Sequence, residues 1–201
     1  MSLKLGEVIS EPWSAADHVY FPNESLVSLI ALTGDGAGVE VGIVGNRGLV
    51  GVSVALGAAQ SATRGLVQAA GTAERITAKR FSSEVRRGGA LQKAALRYAN
   101  VSMATAMQVA ACNNVHTVDR RLARWLLMTS DLLASRGFFL TQEFLAHMLG
   151  VRRTGVSEAA ASLQRRGLIS YRRGSIVILD RPSLLAASCG CYETIRKLSA
   201  G

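Results

Sequence analysis

The chain has 201 residues, 49% of them hydrophobic and 18% charged, a composition that excludes a disordered chain and leaves room for one or two globular domains. Its net charge of +9 is uneven: residues 1–81 carry 6 Lys/Arg against 7 Asp/Glu, residues 82–140 carry 8 against 3, and residues 141–201 carry 9 against 4. A basic C-terminal part behind a neutral N-terminal part suits a polyanion-binding module attached to a sensor or scaffold; a merely basic soluble surface is the competing reading of charge alone.

Residues 1–81 are rich in glycine and in short β-like runs. Strands are expected at Glu7–Ser10, Val19–Phe21, Leu26–Thr33, Val39–Val44, Leu49–Leu56, Gly65–Gln68 and Ala73–Thr77. Turn residues separate them at Pro22–Asn23, Gly34–Gly38 and Gly45–Gly48. Several short strands at such spacing predict an antiparallel sandwich or barrel. The glycines of Gly34–Gly38 do not form a dinucleotide fingerprint, because a strand-like run and not a helix follows them; they read as a hairpin turn.

After Phe81 the pattern changes. Gly88 and Gly89 interrupt a helix-like region, and a helix is expected from Ala90 to about Val115. Leu91, Ala94, Ala95, Tyr98, Val101, Ser102 and Thr105 follow one face of it, while Met103, Ala106, Met107 and Ala110 fill another. No Lys, Arg, Asp or Glu occurs from Tyr98 to Val118, so such a helix must be covered on two sides, by its own domain and by a partner. The economical partner is the same helix of a second copy, and Leu91, Ala94, Tyr98, Val101, Ser102 and Thr105 are the expected dimerisation residues. Burial within one chain is the alternative. A membrane span is rejected, since Asn100, Ser102, Thr105, Gln108, Asn113, Asn114 and His116 would be penalised in a bilayer core.

Residues 117–136 read as a further helix, capped by Thr117, with Leu122, Trp125, Leu126, Thr129, Leu132 and Leu133 as its buried stripe. Arg120, Arg121 and Arg124 either contact phosphate or cover the core with their stems. Thr141 then caps a short helix in which Phe144, Leu145, Met148 and Leu149 face inwards, and Gly150 permits a tight turn. A second helix starts near Arg153 or Thr154, with Val156, Ala159, Ala160 and Leu163 inward, and ends at Gly167. Ile169 and Tyr171, then Ile176 and Ile178, alternate as hairpin strands around Arg172, Arg173 and Gly174. Two helices, a tight break and a hairpin form the order of a winged helix-turn-helix, a device that places one helix in the DNA major groove.

In that device, arginines supply affinity by displacing counterions, and the exposed helix face supplies discrimination. The expected DNA contacts are Thr141, Gln142, Arg152, Arg153, Thr154, Gly155, Ser157, Glu158, Arg172 and Arg173. Arg153 has the reach and fork for the two acceptors of a guanine edge, and Arg172 and Arg173 would grip a phosphate. Glu158 would accept from a cytosine amino group, orient Arg153 or repel wrong sites. Catalytic chemistry finds no support: there is no phosphate loop with its lysine and no Gly-x-Ser-x-Gly turn, so no enzyme and no cofactor are expected.

Three cysteines, Cys112, Cys189 and Cys191, make no disulfide framework and fit a reducing cytoplasm. No signal peptide is apparent. Cys112 and His116 share a helix face but are two ligands only, and Cys189-Gly190-Cys191 has no second pair nearby in the chain, so no metal site is expected.

The chain resembles the Crp/Fnr family of bacterial transcription regulators. His18–Pro22, Val39–Gly45 and Gly48–Gly51 resemble the family's β-roll, Arg120–Leu127 resembles the helix after its dimerisation helix, and Leu140–Ala146, Leu149–Arg153 and Leu163–Ile169 resemble its winged helix-turn-helix. The resemblance implies an α+β chain: an N-terminal antiparallel, jelly-roll-like β-roll over 1–81, a dimerisation helix over 82–116 and a winged helix-turn-helix over 117–201. It implies a cytoplasmic homodimer that reads a palindromic double-stranded DNA operator, two half-sites about one helical turn apart, with RNA polymerase as a further partner. It also implies an effector, and here the chain departs from the pattern. Cyclic-nucleotide members carry Gly-Glu followed by Arg-Ser, whereas this chain has Gly48-Leu49 and Ser61–Gly65. The acceptor for a ribose hydroxyl is gone, which argues against cyclic-nucleotide binding; Arg64 is the remaining effector candidate. The N-terminal cysteines of iron–sulfur members are absent as well. In the recognition helix, Thr154 and Glu158 stand where glutamate and arginine are frequent. A small-molecule sensor that signals to a protein partner, with incidental DNA affinity, is the competing function.

Overall fold

The structure, a computed structural model, describes residues 1–34, 36 and 38–200. The chain divides into two compact units, Met1–Gly36 with Val41–Ala104 and Ala37–Glu40 with Thr105–Gly201.

The first unit is built from short strands: β1 (Ser2–Leu3), β2 (Val8–Ser10), β3 (His18–Pro22), β4 (Leu26–Leu32) and β5 (Gly38–Val44), then a one-turn helix α1 (Val52–Ala55), β6 (Thr63–Ala69) and β7 (Gly71–Thr77). They form two sheets, ordered β1-β7-β3 and β2-β6-β4-β5. The pairings of β7 with β1 and β3, and of β6 with β2 and β4, are antiparallel. Burial is uneven along the strands: Val19, Val27, Val67 and Ala73 are buried, while Glu74, Arg75 and Thr77 stay in solvent. Tyr20, Val27, Val44, Val50, Val67 and Ala73 close one core between the sheets. This is the β-roll that the sequence predicts.

Two local expectations change, and a third falls on residues that are not described. Leu49–Leu56 is not a strand: only Val50 bridges to Tyr20, Gly51 then adopts φ 97°, and α1 follows. The apolar run looked strand-like because Leu49, Val50 and Val54 are all buried, yet they reach the core from a bend and a helical turn. The Gly34–Gly38 turn includes Asp35 and Ala37, which lie outside the described residues. A helix α2 (Ala78–Arg86) begins directly at the end of β7, where Thr77 Oγ1 accepts from Arg80 N at 3.4 Å and Phe81 and Val85 face inwards.

Gly88 and Gly89, at φ 81° and 91°, separate α2 from the 26-residue helix α3 (Ala90–Val115). In the first unit α3 presents Ala95 and Tyr98 to the β-roll core. Gly48 is required there for close approach: a Cβ on it would lie 2.6 Å from Tyr98 Oη. Burial raises the Tyr98 phenol pKa, with hydrogen bonds from Ser102 and the Leu49 backbone opposing the shift.

The second unit is organised around α4 (Val118–Leu133), whose residues 121–127 are all buried. The elements that follow are β8 (Gly137–Phe139), α5 (Gln142–Leu149), α6 (Arg153–Arg165), β9 (Ile169–Arg172), β10 (Ser175–Ile178), α7 (Arg181–Ala187) and α8 (Cys191–Ala200). α4 ends earlier than expected, because Ala134 takes a left-handed conformation with φ 49°. Helices α7 and α8 were not expected, although Asp180 caps α7 by accepting from Ser183 N at 3.0 Å and Pro182 sits in its first turn; β8 is only three residues long and exists by pairing with β10. Among the described residues, no helix is long and apolar enough to cross a membrane.

Candidate nucleic-acid interface

Thr141 opens α5 from an extended conformation, and its Oγ1 accepts from Phe144 N at 3.1 Å. Leu145, Met148 and Leu149 are buried beneath it. Gly150, at φ 60°, ends the helix in the left-handed region, where a side chain would be strained. Arg152 precedes α6 in extended conformation, and no side chain caps the helix. The first N–H groups of α6 are therefore open beside Arg152 and Arg153, which makes this end electropositive.

Val156, Ala159, Ala160 and Leu163 hold α6 against the core, as their spacing predicts. The opposite face carries Arg152, Arg153, Thr154 and Glu158, all exposed. Gly155 and Ser157 are half-buried. Ser157 Oγ donates towards Gln142 Oε1 at 2.9 Å and Arg153 O at 3.0 Å. No ion pair joins Glu158 to Arg153 among the described residues, so Glu158 does not orient that arginine.

β9 and β10 form the wing, with Arg172 opposite Ser175. Arg173 and Gly174, both at positive φ (48° and 85°), make a two-residue turn that matches strand twist. Arg172 and Arg173 are exposed at its tip. Tyr171 Oη donates to Leu140 O at 2.8 Å and fixes the wing beside α5. Arg152, Arg153, Arg172 and Arg173 share no ion pair among the described residues, so the cations on this face are available for a polyanion.

Arg120, Arg121 and Arg124 divide. Arg120 is exposed, but Arg121 and Arg124 are only 6% and 3% exposed and lie inside the domain. Arg121 donates to Leu149 O, at the start of the helix-turn-helix turn. Burial lowers the Arg121 pKa. Neither buried arginine can meet a phosphate.

The six expected dimerisation residues lie on or near the face of α3 that turns towards its own chain. Tyr98 and Ser102 line a β-roll cavity, Val101 and Thr105 are half-buried, and Leu91 and Ala94 are exposed at the helix start. The opposite face carries Leu96, Asn100, Met103, Met107, Ala110 and Asn114, every one exposed. The sequence reading assigns the Tyr98 face to the dimer seam, whereas Tyr98 and Ser102 are turned to the β-roll.

The cavity, about 350 Å³, is bounded by Glu11, Ser14, Asp17, His18, Ser53 and Tyr98 among others. Arg64 is not part of its wall; its Nε pairs with Glu11 Oε2 at 2.9 Å. Leu49 is packed with Val19, Val54 and Phe81.

One grouping escapes the sequence reading. Cys112 and His116, at the end of α3, lie beside Cys189 and Cys191 at the α7–α8 junction, with their ligand atoms within 4.8 Å of one another. Two pairs that look incomplete are neighbours in space.

A helix-turn-helix with an exposed cationic second helix and a two-stranded wing defines a winged helix-turn-helix DNA-binding domain. The Crp-like helix-turn-helix domain family matches residues 120–187. No characterised protein sequence matches the chain significantly. Among solved structures, a CRP-family transcriptional regulator from Thermus thermophilus is 20% identical with a TM-score of 0.77, over 94% of this chain and 96% of that one. FixK2 from Bradyrhizobium japonicum is 16% identical with a TM-score of 0.80, over the same shares. A second regulator from Thermus thermophilus, of the CRP/FNR family, is 21% identical with a TM-score of 0.74, over 100% and 98%. At these identities the structures show the fold, and the family match shows the DNA-binding domain. Residues 120–187 belong to the Crp-like helix-turn-helix domain family, and the chain as a whole shares the fold of CRP/FNR-family transcription regulators.

Proposed function

We propose that the protein acts in the cytoplasm as a homodimer that reads a palindromic operator, with α6 of each copy in the major groove. The observation that carries this reading is the α6 and wing face, where Arg152, Arg153, Arg172 and Arg173 are exposed without ion-pair partners among the described residues. Arg153 contacts a guanine edge, Thr154, Gly155, Ser157 and Glu158 complete the base-reading face, and Thr141, Gln142, Arg152, Arg172 and Arg173 hold the backbone. Docking beside a promoter places RNA polymerase within reach as a further partner.

Pairing uses the exposed stripe of α3. Leu96, Asn100, Met103, Met107, Ala110 and Asn114 recur at alternating steps of four and three, the spacing of a two-helix seam. Leu96, Met103 and Met107 are 46%, 54% and 64% exposed in the single chain, an apolar surface that a second copy of α3 would cover.

The β-roll does not fit a cyclic nucleotide. Leu49 stands where an acceptor is needed and is committed to the core, while Arg64 is paired with Glu11. Selection of bound sequences from random DNA, with purified protein and no added ligand, tests the proposal. A palindromic consensus is expected, and binding without sequence preference would refute it.

A further inference from the structure

Cys112 lies in the last turn of α3, and His116 follows it by one turn, its N donating to Cys112 O at 3.0 Å. Cys189 and Cys191 flank Gly190 where the chain passes from α7 to α8. Cys112 Sγ and Cys189 Sγ are 3.4 Å apart, and Cys191 Sγ is 3.7 Å from His116 Nδ1. Ligands of a tetrahedral zinc ion, with Zn–S of about 2.3 Å, lie about 3.5–3.8 Å from one another. Two of the six ligand-to-ligand distances thus lie near the edge lengths of a coordination tetrahedron, and all six are within 4.8 Å. All three thiols are buried.

Charge supplies an independent reason. Arg121 and Arg124 are buried in the same unit, make no ion pair among the described residues, and each keeps an Nε without a partner. Arg124 reaches only Met128 Sδ, at 3.3 Å, and Arg121 the Leu149 carbonyl. An unpaired buried cation costs several kcal/mol, which favours a nearby anion. Three thiolates around a divalent ion carry one net negative charge, the sign the arginines lack. Gln108 Nε2 donates to Cys191 Sγ at 3.2 Å, the kind of outer hydrogen bond that orients a ligand sulfur.

We infer that Cys112, His116, Cys189 and Cys191 bind one thiophilic divalent cation, Zn²⁺ by ligand type, which staples the end of α3 to the α7–α8 junction. On binding, the three thiols release their protons to solvent and each sulfur donates a pair to the metal; no electrons are transferred. Four protein ligands leave no open position, so the ion is structural and not catalytic. The site is separate from the DNA-reading face and stands whether or not that face has been assigned correctly.

The test uses the full-length protein, reduced and stripped of metal, titrated with Zn²⁺ against a chromophoric chelator and loaded separately with Co²⁺. One ion per chain is expected, with a sulfur-to-cobalt charge-transfer band and the intense visible bands of tetrahedral cobalt. Cys189→Ser should weaken the charge-transfer band, and His116→Gln should perturb the visible bands while leaving most of the sulfur signal. Zn²⁺ should raise the melting temperature of the parent more than that of either variant. The parent titration is decisive even if a variant folds poorly. Absence of the charge-transfer band in the reduced parent would overturn the site, as would a Cys112–Cys189 disulfide in freshly isolated, metal-free protein.

Discussion

Ser157 Oγ lies 2.9 Å from Gln142 Oε1, so α6 is hydrogen-bonded to the first turn of α5 through two half-buried side chains. The one hydroxyl proton is shared with Arg153 O, leaving Ser157 to offer lone pairs. A base opposite it should therefore present an N–H donor, as adenine and cytosine do in the major groove. Ser157→Ala and Gln142→Ala should each cost about 1 kcal/mol in urea denaturation. The double variant should lose less than the two single losses added together. Strict additivity would show that the bond is not made in solution.

Arg153 and Arg172 should behave differently when truncated. In the proposed docking Arg153 meets a base, so Arg153→Ala should relax preference at one position of each half-site, at about 1–3 kcal/mol for the preferred base. In the same docking Arg172 meets a phosphate, and Arg172→Ala removes that contact. It should weaken all sequences alike and reduce the slope of log affinity against log salt by about 1 per chain. Binding titrations at several salt concentrations on matched and mismatched operators separate the two. An unchanged selected sequence for Arg153→Ala would reject the assignment of α6.

Gly48 has an ordinary backbone conformation but no room for a side chain, because Tyr98 occupies the space. Gly48→Ala should destabilise the protein by about 1–3 kcal/mol, the usual cost of overpacking. Gly48→Ala combined with Tyr98→Ala should recover part of that loss relative to Tyr98→Ala alone. Chemical denaturation checks both. If the clash is absent, Gly48→Ala will unfold at the parent midpoint.

The helix-turn-helix was legible because its signals are local: Thr141 caps, Gly150 turns, and Val156, Ala159, Ala160 and Leu163 repeat at helical spacing. The β-roll was legible in outline from alternation and turn residues. What escaped depends on contacts distant in the chain. Leu49–Val54 is buried as a strand would be, and only tertiary packing makes it a bend and a helical turn. The apolar sides of α3 were visible, but which one meets the β-roll is set by Gly48 and Tyr98. Cys112 and Cys189 are 77 positions apart, so no spacing rule joins them.

The proposed dimer seam makes a sharp demand. Met103 and Met107 are one turn apart and exposed in the single chain, with no role in the β-roll core. Met103→Glu with Met107→Glu places like charges on both sides of a two-fold seam. The double variant should sediment as a monomer while keeping the parent's circular dichroism spectrum, and should lose high-affinity operator binding. A dimer that survives these changes would place the pairing surface elsewhere.

Tyr192 anchors α8 to α4: its Oη donates to Asp131 Oδ2 at 2.6 Å and accepts from Arg181 at 2.8 Å. Its pKa is pushed up to about 12, first by burial and then by the bond to Asp131, from the ordinary 10.0. A folded-state value above the unfolded one means that the native state holds the proton more tightly. This stabilisation is fully present below pH 10 and is lost as the pH rises from 10 towards 12. Tyr192→Phe should cost about 1 kcal/mol at neutral pH through the lost hydrogen bonds. It should also remove the Tyr192 share of the alkaline decline, so the variant's stability curve is flatter than the parent's between pH 10 and 12. Equal slopes across that window, measured by urea denaturation, would show that the phenol does not hold its proton as this geometry requires.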